Sequence, residues 1–261
     1  MYNLGKVEKK IYSLREEAPL LIPQIDPDKY GIEEVEKLLR KLSLMGIQHL
    51  AIGGSLVDPI KMQNIIDMVV GDFDFSFTTY ITNPATALLK GKEGRASVYW
   101  ATVFNSENPF YLRDSLVMSS LFLKKNNFEP IPTAYVFDNR DSRGTANWLS
   151  RSNDIPYNKP EISLANGLAC QYLGIRFYIL AGGSGSLLPP PVSHVKLLHE
   201  KSDLFVIPTS GIKSEAHVKS LLAAGADAMH LGNMIESDSG LGKIEKLLKI
   251  ANNYKGRKFS F

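Results

Sequence analysis

"RFYILAGGSGSLLPPPVSHVKLLHEKSDLFVIPTSGIKSEAHVKSLLAAGADAMHLGN", residues 176–233, decides the fold. Three short apolar runs, RFYILAGG (176–183), LFVIPTSGI (204–212) and AMHLGN (228–233), each end in small residues, and two segments of helical period separate them. Strands that are apolar at nearly every position have both faces covered, which marks a parallel sheet packed between helices. Ser214 stands where a helix N-cap belongs. The glycines behind each run let the backbone take φ > 0 or approach a ligand closely. Turns of that kind cradle phosphate.

The same unit recurs toward the N-terminus. PLLIPQI (19–25), QHLAIGG (48–54), FDFSFTT (73–79), ASVYWATVF (96–104) and IPTAYVF (131–137) read as five more strands. Helical period follows each of them: residues 31–45, PIKMQNIIDMVV, NPATALLKG, NPFYLRDSLVMSSLFLKKN and KPEISLANGLACQYLG, with LGKIEKLLKIANNY closing the chain. Eight β-then-α units predict an α/β fold, a (β/α)8 TIM barrel in one domain over residues 1–261, with 1–18 as an N-terminal helical extension. An open doubly wound sheet is the second reading.

Bulk properties narrow the function. A net charge of +3 is well short of a nucleic-acid binder's footprint, so no nucleic acid is expected; it suits anionic substrates or loose contact with an anionic membrane. The single Cys170 rules out an internal disulfide and fits a reducing compartment. The charged start MYNLGKVEKKIYSLREE lacks the apolar stretch of a signal peptide, and no apolar run approaches the roughly 20 residues that span a bilayer. The expectation is a cytoplasmic protein with peripheral membrane contact left open. The apolar segment SLVMSSLFL (115–123) suits a homodimer.

In such a barrel the chemistry sits at the C-terminal strand ends, with phosphate often bound after strands 7 and 8. The strand ends read QIDPDKY (Asp26, Asp28, Lys29), GGS (Gly53, Gly54, Ser55), NSENP (Asn105, Ser106, Asn108), then AGGSG, TSG and GN. Glycine or small residues at four of these turns suggest extended anion binding. Asp26 suits a hard metal, since Mg²⁺ usually takes one or two carboxylates beside phosphate oxygens and water. No His/Cys/Asp/Glu cluster has zinc spacing. His49 and His230 flank strands and are expected to be satisfied core histidines; His194, His199 and His217 read as helix surface.

DPDK, GGS, NP and GN, in this order and with PTAYV (132–136) and AGAD (224–227), resemble the geranylgeranylglyceryl phosphate synthase (PcrB-like) family over residues 19–236. The resemblance implies a TIM-barrel prenyltransferase. Such an enzyme joins a polyprenyl diphosphate to the hydroxyl of sn-glycerol 1-phosphate, with Mg²⁺ as cofactor and release of diphosphate. Carried onto this chain, it implies a Mg²⁺ site at Asp26 and Ser55. Beside that resemblance, Lys29 reads as a point charge for the diphosphate or as a solvated surface lysine, and Asn105 at its strand end as a further diphosphate contact. Tyr178 with Gly182, Gly183 and Ser184 resembles the family's YLEAGSG stretch, which holds the acceptor. Ser210 and Gly211 stand for a Gly-Gly pair, and Gly232 and Asn233 for a Gly-Asn pair, both phosphate-binding. Asp26 and Tyr178 are the expected catalytic residues. Tyr99, Trp100, Phe104, Phe110 and Tyr111 are candidates to line a groove for a geranylgeranyl-like tail.

The chain departs from the family in one stretch. The glutamate two residues after the tyrosine falls on Leu180, no Asp or Glu occurs between Glu161 and Glu200, and the glycine run is one residue longer. The departure points to altered acceptor chemistry, with 3-phosphoglycerate as an alternative acceptor, or to a non-catalytic prenyl-phosphate binder. A phosphosugar isomerase or lyase is the competing class. It needs an acid–base pair, for which Asp26 and Asp138 are the candidates.

Overall fold

The eight apolar runs pair side by side and in parallel. The computed structural model describes residues 4–80, 84–139, 144–235 and 238–259. Its strands are β1 (Leu20–Ile25), β2 (His49–Ile52), β3 (Ser76–Tyr80), β4 (Ala96–Val103), β5 (Glu129–Asn139), β6 (Ile155–Pro156), β7 (Phe177–Ala181), β8 (Phe205–Thr209) and β9 (Ala228–Leu231). The hydrogen-bonded order is β8-β7-β5-β4-β3-β2-β1-β9, with the two-residue β6 added to β5. The remaining join, between β8 and β9, is made by Asp227: its N–H donates to the Val206 carbonyl at 3.0 Å, and its carboxylate accepts Val206 N–H at 2.9 Å. A (β/α)8 barrel results, as the eight units predict.

Alternation along each strand sorts the core into two layers. Ile22, Tyr99, Ile131, Phe177, Ile179, Phe205 and Ile207 cluster inside the barrel, where Phe177 and Phe205 stack at 4.6 Å. Tyr178, Leu180 and Val206 face the other way, packing with Cys170, Val195 and Leu198 of the helix layer. The helices behind the strands are α2 (Ile32–Leu44), α3 (Pro59–Asp72), α4 (Ser115–Lys125), α6 (Pro160–Tyr172), α7 (Val192–Lys201), α8 (Glu215–Ala223) and α9 (Asp238–Ala251).

The N-terminal helix, α1 (Lys6–Glu17), is part of the core rather than an appendage. Val7, Ile11 and Tyr12 enter the interior cluster from the N-terminal end of the barrel. Glu129 at the start of β5 accepts the N–H groups of Val7 and Glu8, both at 2.8 Å, which supplies the helix with the capping acceptor that Gly5 lacks. With this end plugged, the C-terminal rim is the open end.

Two expected helices differ. NPATALLKG gives only a 3-10 turn, Pro84–Leu88. NPFYLRDS opens as a π-helical turn, Phe110–Asp114, before α4 begins. The Thr102 hydroxyl on β4 donates to the Leu112 carbonyl within that turn at 2.7 Å. A further short helix, α5 (Thr145–Ser150), stands where the sequence reading has only loop.

Candidate active site

The rim opens into a cleft. One side is built by the turns after β1 and β2. Asp26, Lys29, Gly54 and Ser55 line it. A methyl group on Gly54 would lie 2.6 Å from Asp26 Oδ1, so only glycine leaves room for the carboxylate there. Asp26 is also the only carboxylate among the described lining residues.

The opposite side is made of the turns after β7, β8 and β9: Gly183, Ser184, Gly185, then Thr209, Ser210, Gly211, then Gly232. These turns interlock. Gly183 and Gly185 take φ of +89° and +86°, and a Cβ on Gly144 would meet Ser184 N at 2.5 Å, so the β7 loop rests directly on the start of α5. Ser210 and Gly211 both have φ of +66°, and Gly211 passes so close to the Leu188 carbonyl that no side chain fits. Lys213 lines the cleft beside these turns.

The floor between the two sides is aromatic. Tyr80, Tyr99, Tyr135 and His230 line it. The His230 ring stands between two phenols, with Nδ1 2.9 Å from Tyr80 Oη and Nε2 2.9 Å from Tyr99 Oη. Burial drives the imidazole's pKa down to about 3, so it is neutral at ordinary pH. The same burial holds the Tyr80 phenol protonated.

The structure therefore brings Asp26, Lys29, Ser55, Gly183, Ser184, Ser210, Gly211 and Gly232 to one cleft. It moves others away. Tyr178 lies on the helix-facing side of β7, fully buried, with its hydroxyl on the Ser163 carbonyl at 3.4 Å; it cannot meet an acceptor at the mouth. Leu180 shares that face. The cause is register. Setting Gly183-Ser184-Gly185 on the GSG of the YLEAGSG pattern moves its tyrosine to Ile179 and its glutamate to Ala181, the inward positions, and absorbs the extra glycine as Gly182. Gly182 itself is buried under the loop and lines no part of the cleft.

Asn105 is likewise a tether. Its Nδ2 donates to the Phe137 and Asn153 carbonyls at 2.8 and 2.9 Å, and its Oδ1 accepts Phe137 N–H at 3.1 Å, which leaves it no diphosphate role. Asn233 opens the 3-10 turn Asn233–Ile235, but its side chain lies outside the described residues. Of the aromatic candidates, Tyr99 and Tyr111 line the cleft, whereas Trp100 and Phe104 pack against the outer layers. Asp138 is buried on β5 and not at the cleft, so it forms no acid–base pair with Asp26 there. His194 is not surface: it is buried between Ser163 Oγ (2.7 Å) and the Tyr157 carbonyl (3.0 Å).

Sequence reasoning misses Tyr80, Tyr135, Ala146, Leu149 and Lys213. Alternation in FTTY and TAYVF carries a signal for the two tyrosines, but only once strand register is fixed. Nothing marks Ala146 and Leu149, which reach the cleft on the unpredicted α5.

A closed β/α barrel with interlocked glycine turns on one side of its open rim and Asp26 on the other has the layout of a β/α-barrel enzyme. The chain belongs to the PcrB family, whose pattern matches residues 12–251. The geranylgeranylglyceryl phosphate synthases of Pyrococcus horikoshii and Pyrococcus furiosus are each 31% identical to it. They align over 96% and 95% of this chain and 97% and 96% of their own length. In fold it matches the (S)-3-O-geranylgeranylglyceryl phosphate synthase of Thermoplasma acidophilum, a structure determined in complex with its substrate sn-glycerol-1-phosphate. The TM-score is 0.84 at 22% identity, covering 94% of this chain and 97% of the other.

Proposed function

We propose that this enzyme, a prenyltransferase by family, moves a geranylgeranyl-like group from its diphosphate to the hydroxyl of sn-glycerol 1-phosphate, forming an ether. The observation that carries the reading is the placement of Asp26 and Ser55 across one cleft from the glycine and serine turns at 183–185, 210–211 and 232. The acceptor phosphate is held by the N–H groups of those turns, and the donor diphosphate lies near Lys29 and Ser55. The bond from the allylic carbon to the diphosphate oxygen breaks with its electron pair leaving on the diphosphate. The acceptor oxygen then bonds to that carbon and loses its proton.

The residues fit Mg²⁺. Asp26, the one carboxylate among the described lining residues, is the donor a hard cation takes beside phosphate oxygens and water. Asp26 and the Ser55 hydroxyl would hold it. Bound there, the ion supplies charge neutralisation to the leaving diphosphate. The walls of the barrel exclude water from the allylic cation, for which water competes with the acceptor.

The lipid donor brings the enzyme to a membrane surface from the cytoplasm. Trp148 on α5 and Leu187 on the β7–α7 loop, 75% and 66% exposed, stand on segments next to the cleft and support peripheral contact. Val117, Met118 and Leu121 leave an apolar face on α4, which supports a dimer.

A second reading, a different anionic acceptor such as 3-phosphoglycerate, is favoured by Ile179 and Ala181 at the two inward positions and by Lys213 at the rim. One experiment separates the readings. Geranylgeranyl diphosphate and Mg²⁺ are supplied with each acceptor in turn, and diphosphate release and product mass are followed. A prenyl ether of sn-glycerol 1-phosphate is the expected product. Turnover with 3-phosphoglycerate alone moves the assignment to the second reading, and binding without turnover overturns both.

A further inference from the structure

We propose that Trp148, Leu187, Leu188 and Val192 form a docking face for a lipid bilayer, and that this face holds the membrane by apolar insertion rather than by charge. The inference rests on the prenyl-transfer reading, since a long isoprenoid donor resides in a bilayer. It names the face and the force that bring the cleft to that donor.

The sequence supplies the surface. Residues 162–195 hold a single Lys, Arg, Asp or Glu, and that residue, Arg176, pairs with Glu8 at 2.8 Å toward the closed end of the barrel. At the open end the same stretch runs SLLPPPV (186–192), with Leu187, Leu188 and Val192 66%, 43% and 41% exposed. Large apolar side chains grouped on a surface mark a contact site.

These residues share one side of the mouth. Trp148 lies on α5 between Asn147 and Leu149. Asn147 abuts the β7 loop, where a Cβ on Gly183 would strike it, and Leu149 lines the cleft together with Gly183 and Gly185. On the far flank His194, two residues after Val192, has Nε2 3.0 Å from the Tyr157 carbonyl and Nδ1 2.7 Å from Ser163 Oγ. Those bonds bring the segments of the part-exposed Tyr157 and Ile162 beside the start of α7.

Backbone chemistry selects lipid as the occupant. A loop that enters hydrocarbon must keep its N–H and C=O groups satisfied from within the protein. Pro189, Pro190 and Pro191 have no N–H to satisfy. The Ser186 N–H donates to the Gly183 carbonyl at 3.4 Å, and the Ser186 hydroxyl donates to the Leu188 carbonyl at 3.0 Å. The prolines also fix the loop's shape before it inserts, which lowers the entropy lost on binding. Between Leu187 and Val192 no polar side chain is offered by which a protein partner would be recognised. A protein seated here would crowd the mouth through which substrates pass, whereas a bilayer holds the donor itself. Trp148 suits the headgroup level, where an indole has one wet edge and one apolar face.

Charge does not supply the attraction. Across the mouth, after β1, Asp28, Glu33 and Glu34 are exposed, so an anionic surface meets repulsion on that side. The docking face is therefore expected to work on a neutral bilayer.

Vesicle flotation tests it, with Trp100→Phe as background so that Trp148 is the only tryptophan. The expected result is flotation with vesicles of phosphatidylcholine alone, unchanged by salt, with Trp148 emission shifted to the blue and quenched by brominated acyl chains. Leu187→Asp in that background should lower the vesicle partition coefficient roughly tenfold or more, the worth of one buried leucine. Its turnover of a short, soluble prenyl diphosphate should match the parent's. Binding that needs phosphatidylglycerol and vanishes with salt overturns the proposal, as does an unshifted Trp148 on bound vesicles. No flotation, with dimers that Leu187→Asp dissociates, makes the face a contact between copies and overturns it equally. A protein that floats but makes no ether removes the prenyl-transfer reading alone. One that makes ether from the soluble donor and does not float removes the docking face alone.

Discussion

Asp227 receives Arg15 Nε at 3.0 Å in the seam of the barrel, joining residues 212 positions apart in the chain. Arg257 reaches the other oxygen at 2.9 Å, and the same carboxylate caps Val206 N–H. All of Asp227 and nearly all of Arg15 are buried. Removing the anion leaves two guanidinium groups facing each other without compensation. Asp227→Asn is expected to destabilise the fold by about 3–5 kcal/mol, the usual cost of breaking a buried charge pair. Urea denaturation measures it.

Ser210 shows the opposite situation, a residue that costs stability where it stands. Its φ of +66° lies in the left-handed region, which costs a residue with a Cβ about 1–2 kcal/mol. Glycine removes that strain while giving back some chain entropy. Ser210→Gly is expected to raise stability by roughly 0.5–1 kcal/mol. A denaturation midpoint that does not rise would mean that hydrogen bonds of the serine offset the strain.

The two neutral histidines make stability depend on pH. Burial brings the pKa of both His49 and His230 down to about 3, from the ordinary histidine value of 6.5. Between those values the unfolded chain binds protons that the folded one refuses. The stabilisation is therefore complete above pH 6.5 and is lost as pH falls toward 3, by up to roughly 1.4 kcal/mol per pH unit for each histidine. Melting curves from pH 7 to 4 read the slope. In His49→Gln the slope should be shallower by about one proton.

Gly54 and Asp26 give a test of the cation site. A Cβ at residue 54 forces the Asp26 carboxylate to turn, since 2.6 Å is no van der Waals distance. Because Gly54 has no left-handed φ, alanine is tolerated by the backbone itself. Gly54→Ala is expected to raise the Mg²⁺ concentration for half-maximal turnover roughly tenfold or more, at near wild-type stability. Titration of activity with Mg²⁺ checks it; an unchanged half-saturation would detach Asp26 from the metal.

The barrel was legible because its evidence is periodic: eight apolar runs, each followed by helical spacing, survive errors of a residue or two at every boundary. The site needed more. Asp26, Ser55 and Gly232 follow strands whose neighbouring loops are short, so strand ends alone locate them. Tyr178 failed because one extra glycine shifts the strand relative to the loop, and a shift of one residue exchanges the two faces of a strand. Asn105 failed for another reason. An amide after a strand serves equally well to bind an anion or to tie two loops, and only the distances to Phe137 and Asn153 decide. His230 could be placed on its strand, but that it joins Tyr80 and Tyr99 depends on strands far apart in sequence.

That register shift can itself be tested, since the two faces of β7 react differently to charge. Leu180 packs between α6 and α7 with Cys170, Val195 and Leu198, where a carboxylate has no partner. Burying an unpaired charge is strongly unfavourable, so Leu180→Glu should fail to fold or lose several kcal/mol. Ala181 follows Phe177 and Ile179 on the axis-facing side, at the last position before the rim loop, where a longer side chain can extend into the cleft. Ala181→Glu should fold with a loss of about 1–2 kcal/mol, typical of a tolerated substitution. Soluble yield and urea midpoints of the two variants compare the faces directly. If Leu180→Glu is the tolerated one, the strand is turned the other way, and Tyr178 returns to the mouth.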